Sequence, residues 1–172
     1  THIGRFNEQK NHDGLLRAFA LIHQEYPDTR LNLLGDGELL TQTQALAQTL
    51  GISDSVDFLG GQSNVYPYLQ KSDLFLLPSL YEGMPMTLIE AMGTGLPIVA
   101  SRVGGVPDML VSGESALLTD CAPESVAKAA CKLLEDEALR AHLGQAAKTA
   151  SEKFSADHMA ESYVRVYRAE GA

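Results

Sequence analysis

The stretch that decides the fold runs Asp73-Leu74-Phe75-Leu76-Leu77-Pro78, then, past Ser79-Leu80, Tyr81-Glu82-Gly83-Met84-Pro85-Met86-Thr87-Leu88-Ile89-Glu90-Ala91-Met92. An unbroken apolar run of this length reads as a strand buried on both faces, which is the habit of parallel sheets. Gly83 and Pro85 mark a tight loop, and from about Met86 onward the composition favours helix. One carboxylate, Glu82, falls on the loop and a second, Glu90, inside the helix, with seven residues between them. A helix N-terminus carries unpaired N–H groups and partial positive charge, so it suits an anion such as a diphosphate, and flanking carboxylates suit hydroxyl groups. Phosphate held between two hydroxyl-binding acids is the outline of a nucleotide-sugar.

Working outward, short apolar strands alternate with helical patterns. Strands are expected over Thr1–Phe6, Arg30–Gly35, Ser55–Gly60, Asp73–Pro78, Pro97–Ser101 and Ala116–Thr119. Leu15, Leu16, Phe19, Ala20, Ile22 and His23 have amphipathic spacing between the first two, and Glu38–Leu50 supplies another helix stopped by Gly51. Strand-helix alternation of this kind predicts an α/β fold, a doubly wound parallel sheet of about six strands. After Thr119 the pattern turns to helices alone, Pro123–Asp136, Glu137–Phe154 and Ala156–Glu170, the last with Ser155 at its start and Tyr163, Val164, Val166 and Tyr167 on one side. The whole is expected to be one domain, 1–172, with a helical extension over about 123–170.

Composition excludes several classes of function. With 22 acidic against 13 basic residues the net charge is −9, which argues against a nucleic-acid partner or an anionic membrane surface. No apolar stretch nears the ~20 residues of a transmembrane segment, and no signal peptide opens the chain. Cys121 and Cys131 have neither zinc-site spacing nor the density of a disulfide scaffold, so they read as reduced, structural thiols. The five histidines show no ligand grouping, no metal is expected, and no Gly-x-Gly-x-x-Gly or Walker loop points to a dinucleotide or a nucleoside triphosphate.

Two basic residues open the chain. Arg5 stands where the first strand ends, the side on which open α/β sheets bind ligands, and reads either as a fork onto phosphate oxygens or as an ordinary surface residue. Lys10, five positions on, supplies the second charge that a diphosphate needs. Leu88, Ile89, Ala91 and Met92 around Glu90 are too apolar for an exposed face, so Glu90 is expected to be a buried acid with hydroxyl partners. Gly35-Asp36-Gly37 reads equally as an approach to a nucleoside or as a plain strand-to-helix turn. Glu82 is open to one further reading, a nucleophile of the glycosidase kind.

The Glu82–Glu90 segment resembles the Glu-x7-Glu motif of retaining GT-B glycosyltransferases of family 4, the glycosyl transferases group 1. The resemblance starts at Ile3-Gly4-Arg5-Phe6 and runs through Lys10-Asn11, Leu33-Leu34-Gly35-Asp36-Gly37, Val56-Asp57-Phe58-Leu59-Gly60, Ser72-Asp73 and Gly95-Leu96-Pro97-Ile98-Val99-Ala100 to Gly104-Gly105-Val106-Pro107. It departs at Asp108, where the family has Glu, and at Ala116, where Gly is usual. It implies a Rossmann-like, C-terminal donor-binding domain whose acceptor-binding N-terminal half is missing from this chain, so that the 172 residues alone bind donor without transferring sugar. Carried over by position, Arg5 and Lys10 would hold the donor diphosphate and stabilise the leaving group, Glu82 the transferred sugar, and Glu90 the ribose. The helix start at Met86, Thr87 and Leu88 would hold the diphosphate, the amides of Gly83 and Met84 would lie beside Glu82, and Gly61 and Gln62 would contact the base. No cofactor beyond the nucleotide-sugar donor is implied, and the absence of Asp-x-Asp fits a metal-independent group. The resemblance further implies hexosyl transfer for cell-envelope polysaccharide or glycolipid, in the cytoplasm and at most peripheral to the inner membrane. A GT-B sugar-nucleotide epimerase and a non-catalytic donor-binding subunit are the alternatives.

Overall fold

Strands buried on both faces send alternate side chains into two separate cores, and that is how the chain is built. The structure, a computed structural model, describes residues 1–169. Six short strands, β1 His2–Ile3, β2 Leu31–Leu34, β3 Val56–Phe58, β4 Phe75–Leu77, β5 Ile98–Ser101 and β6 Leu117–Thr119, form two parallel three-stranded sheets, β1-β2-β3 and β4-β5-β6. Register pairs His2 with Leu33, Leu33 with Phe58, Leu76 with Val99 and Ala100 with Leu118. Thr1 joins the two sheets: its backbone N–H donates to Leu74 O at 2.9 Å, and Leu76 N–H donates to Thr1 O at 3.0 Å. The order across both is therefore β3-β2-β1-β4-β5-β6, with the reversal between β1 and β4.

Helices α1 His12–Glu25, α2 Leu40–Thr49, α3 Tyr66–Leu69, α4 Met86–Thr94, α5 Val106–Met109, α6 Pro123–Glu135, α7 Glu137–Ser151 and α8 Ala156–Ala169 complete the described residues. One core takes Leu31, Leu33, Leu76 and Val99 from the strands, with Leu74 just before β4, against Leu15, Phe19, Ala130 and Leu133 of α1 and α6. The other takes Leu34, Phe75, Leu77, Ile98 and Ala100, against Leu88, Ala91 and Met92 of α4 and Ala147 of α7. Adjacent residues such as Leu33 and Leu34 thus serve opposite faces, so helices cover both sides of the sheet. None of the described helices is long and apolar enough to cross a membrane.

Every expected strand is present, each trimmed at one or both ends. The first is trimmed most: pairing stops at Ile3, and Gly4–Lys10 becomes a loop with a 3-10 turn at Glu8–Lys10. Gly51, at φ +70°, closes α2 as expected. The expected third C-terminal helix begins after Ser155, whose Oγ accepts from His158 N–H at 3.2 Å, while its expected end at Glu170 lies outside the described residues. The expected helix to Phe154 instead ends at Ser151, followed by a 3-10 turn over Glu152–Phe154.

Candidate functional site

Ligands of open α/β sheets sit beyond the carboxyl ends of the strands, at the point where strand order reverses. Here that point lies between β1 and β4, where the Gly4–Asn11 loop meets the Pro78–Pro85 loop. Asn11, the only non-glycine at positive φ among the described residues (+53°), caps α1 through Oδ1, which accepts from Gly14 N–H at 3.1 Å. Its Nδ2 donates to Pro78 O at 3.0 Å, and Leu80 N–H donates to Gln9 O at 2.8 Å. Asn tolerates this left-handed backbone, so one residue both starts the helix and ties the two loops together.

Between the loops lies an ion pair. Lys10 Nζ stands 2.6 Å from Glu82 Oε1, and the two side chains are only 14% and 4% exposed. Gln9 Nε2 donates to Tyr81 O at 3.0 Å and to Glu82 Oε2 at 3.4 Å, giving the carboxylate a donor on each oxygen. The Glu82 backbone rests on Gly104 and Gly105. Gly105 N–H donates to Glu82 O at 3.3 Å, and a Cβ on Gly104 would fall 1.7 Å from that oxygen. Beneath Lys10 lie two buried imidazoles: His12 stacks on Phe6 with ring centroids 4.0 Å apart, and His2 meets His12 edge-on at 4.9 Å. Burial, aided by the Lys10 charge, lowers the His12 pKa to about 4, and burial likewise pushes His2 well below its ordinary value.

Most of the remaining expected residues fall into two groups, one on either side of this pair. Arg5 is exposed at the end of β1, with its guanidinium 3.3 Å from Glu38 at the start of the next turn. It borders a shallow groove of about 300 Å³ that also takes in Ile3, Gly4, Leu34, Gly35, Asp36, Gly61, Gln62 and Val65. Gly35 and Gly37 are glycines because the turn presses on the first loop, where a Cβ would come 2.0 Å from Gly4 O and 2.5 Å from Phe6 O. The turn is therefore a packing device that also presents Asp36 to the groove. On the other side, the amides of Gly83, Met84, Met86 and Thr87 have no acceptor among the described residues, because Pro85 at the head of α4 offers no capping side chain. Thr87 Oγ1 is buried there without a partner.

Two expectations are corrected. Glu90 is not a buried acid: Leu88, Ala91 and Met92 turn inward, whereas Met86, Glu90 and Gly93 form the outer stripe of α4, four and seven residues apart as helical periodicity requires. Partial desolvation still raises its carboxyl pKa. Leu88 offers nothing to a ligand, since its side chain is fully buried and its amide donates to Pro85 O at 3.0 Å. Gln9, Glu38 and the Gly104 shelf were missed. Only the glycines left a trace in sequence, as the Gly104-Gly105 pair.

The family model described as glycosyl transferases group 1 matches residues 1–150. The chain is 36% identical over 168 residues to an N-acetyl-alpha-D-glucosaminyl L-malate synthase of Bacillus anthracis, covering 96% of this chain and 44% of that protein. It is 33% identical over 167 residues to the lipopolysaccharide core biosynthesis glycosyltransferase LpsD of Rhizobium meliloti, covering 96% of this chain and 48% of that one. Among solved structures, Anabaena Alr3699/HepE in complex with UDP superposes with a TM-score of 0.90 at 23% identity, over 98% of this chain and 48% of its own. The C-terminal domain of a glycosyl transferase group 1 family protein (LpcC) from Francisella tularensis superposes with a TM-score of 0.81 at 20% identity, over 90% and 85%. The chain thus spans less than half the length of the curated relatives named here.

Proposed function

We propose, from the premise that this chain belongs to the glycosyl transferases group 1 family and has the fold of a GT-B C-terminal domain, that it is the donor-binding domain of a retaining, metal-independent hexosyltransferase of family 4. The observation that carries the reading is the meeting of the Lys10–Glu82 pair with the unpartnered amides of Gly83, Met84, Met86 and Thr87 at the head of α4. Free amides at a helix N-terminus beside a lysine suit a diphosphate. Glu82, with a donor already on each oxygen, retains lone pairs that accept sugar hydroxyls. On the β2 side, Asp36 and Gly61 line the groove for the nucleoside, Arg5 reaches the phosphates, and Glu90 on the open stripe of α4 accepts the ribose hydroxyls.

Leaving-group stabilisation follows from placing Arg5, Lys10 and the α4 amides where charge develops on the departing diphosphate. Transfer also needs an acceptor oriented against the donor with water excluded. In this reading the second half of the cleft comes from the part of the protein outside these 172 residues, and this chain alone binds donor without transferring sugar. Relatives in lipopolysaccharide core and Vi polysaccharide biosynthesis support an envelope polysaccharide or glycolipid as the product. The test is calorimetric titration of the chain with UDP, GDP and ADP without divalent metal. Saturable binding of at least one of them is expected, and no binding of any at millimolar concentration would overturn the reading.

A further inference from the structure

Each of the two cations at the site already has a carboxylate partner, and the two partnerships differ in kind. Lys10 and Glu82 meet at 2.6 Å almost out of solvent, whereas Arg5 and Glu38 meet at 3.3 Å with side chains 71% and 58% exposed. Breaking a buried pair leaves an uncompensated charge and is strongly unfavourable, while an exposed pair is worth little. An arriving anion will therefore take Arg5 from Glu38 and leave Lys10 with Glu82.

Glu38 is held over Arg5 by the backbone. Phe6 N–H donates to Asp36 O at 2.9 Å and Leu39 N–H donates to Phe6 O at 2.9 Å, so the turn carrying Glu38 is bonded to the residue after Arg5 on both sides of the contact. Asp36 Oδ1 accepts from Gly37 N–H at 2.7 Å and fixes the same turn from within. The register that places the two side chains together is thus set independently of their charges.

We infer that Glu38 is a resident competitor at the donor site, a carboxylate that occupies the Arg5 guanidinium until a diphosphate displaces it. This rests on the donor-site reading above and adds a specificity device to it. Two phosphates offer Arg5 a charge-assisted, forked contact that outcompetes a single exposed carboxylate. A nucleoside or an uncharged sugar does not, and gains nothing from the exchange. Glu38 thereby lowers affinity only for ligands that engage Arg5, and it keeps the guanidinium oriented when the site is empty.

The test is a double-mutant cycle by calorimetric titration at low salt, with UDP, GDP and ADP as probes and uridine, guanosine and adenosine as uncharged counterparts. Glu38→Gln is expected to tighten binding of the preferred nucleoside diphosphate about two- to fivefold, the worth of an exposed ion pair, and to leave the matching nucleoside unchanged. In the Arg5→Ala background the same substitution is expected to have no effect. Equal tightening with and without Arg5 would assign the effect to through-space charge and overturn the inference, as would no tightening at all. Failure of the unsubstituted chain to bind any of the three diphosphates would instead remove the donor-site reading itself, and Glu38 with it. Glu38 is exposed, so the unfolding temperature without ligand should stay within a degree or two and exclude a folding defect.

Discussion

The Lys10–Glu82 pair provides the most demanding test, because its stability and binding effects run in opposite directions. At 2.6 Å, with an effective dielectric of about 20, the attraction is about 6 kcal/mol before desolvation of the two groups takes back several. Removing one partner of a buried pair costs about 3–5 kcal/mol, since the other charge stays behind. Lys10→Met should fall in that range, because it strands Glu82, whose side chain is only 4% exposed. Glu82→Gln should cost less, about 1.5–3 kcal/mol, as the amide oxygen still accepts from Lys10 and only charge assistance is lost. For a domain of this size each kcal/mol is about 2–4 °C in unfolding temperature. The double variant, with no stranded charge, should be more stable than Lys10→Met alone. Binding should move the other way for the acid: Glu82→Gln leaves Lys10 without a counter-charge, so nucleoside diphosphate affinity should rise while preference for a nucleotide-sugar over the bare diphosphate falls. Urea denaturation and titration of the four proteins give both readouts. Additive losses below about 1 kcal/mol for each single change would refute the pair, and a fall in diphosphate affinity in Glu82→Gln would refute the electrostatic argument.

Glu90→Gln should leave stability within about 0.5 kcal/mol, since the acid has no side-chain partner among the described residues and feels only partial desolvation. It should also weaken nucleoside and nucleoside diphosphate binding alike, because the ribose is common to both, and unchanged titrations would remove Glu90 from the site. Gly104→Ala should destabilise by more than Gly113→Ala. Both glycines have positive φ (+50° and +86°), a strain of about 1–2 kcal/mol for any side chain, but only at Gly104 does the new methyl strike backbone, the Glu82 carbonyl. Equal losses in chemical denaturation would mean that the shelf does not support Glu82. Acid stability should report on His12, whose pKa is lowered from 6.5 to about 4. The unfolded chain binds the proton first, so stability from this group is complete above pH 6.5, falls between 6.5 and 4, and is then flat, a loss of up to about 3 kcal/mol. His12→Phe, which keeps the stack on Phe6, should make that slope shallower in urea titrations from pH 7 to 4, the remainder coming from His2, whose pKa burial also lowers; an unchanged slope would exclude His12 as a source.

All six strands were legible as short, mostly apolar segments between helical patterns, even where His2, Asn32 and Asp57 interrupt them, and the two-sided burial behind the apolar runs of β4 and β5 is what the structure shows. The helices α3 and α5 were not, being four residues each, too short for a 3.6-residue period to register, and each beginning at or beside a proline, Pro67 and Pro107. Glu90 was misplaced because a count of apolar neighbours ignores which way each one faces. The Lys10–Glu82 contact joins residues 72 positions apart, and no local pattern announces a meeting at that separation. Arg5 and Lys10 could be singled out as cations, but their private carboxylates depend on how loops pack once the sheet order is set.

That order puts β1 in the middle of the sheet, so the eight residues Gly4–Asn11 that leave it border both halves of the domain at once. They bond to the Asp36–Leu39 turn on one flank and to Pro78, Leu80, Tyr81 and Glu82 on the other. A single short loop therefore serves as the seam between the β2 side and the β4 side of the molecule. An insertion in the seam would disturb both flanks at once, whereas a change in the loop after β2 or after β4 reaches only the flank to which it is bonded.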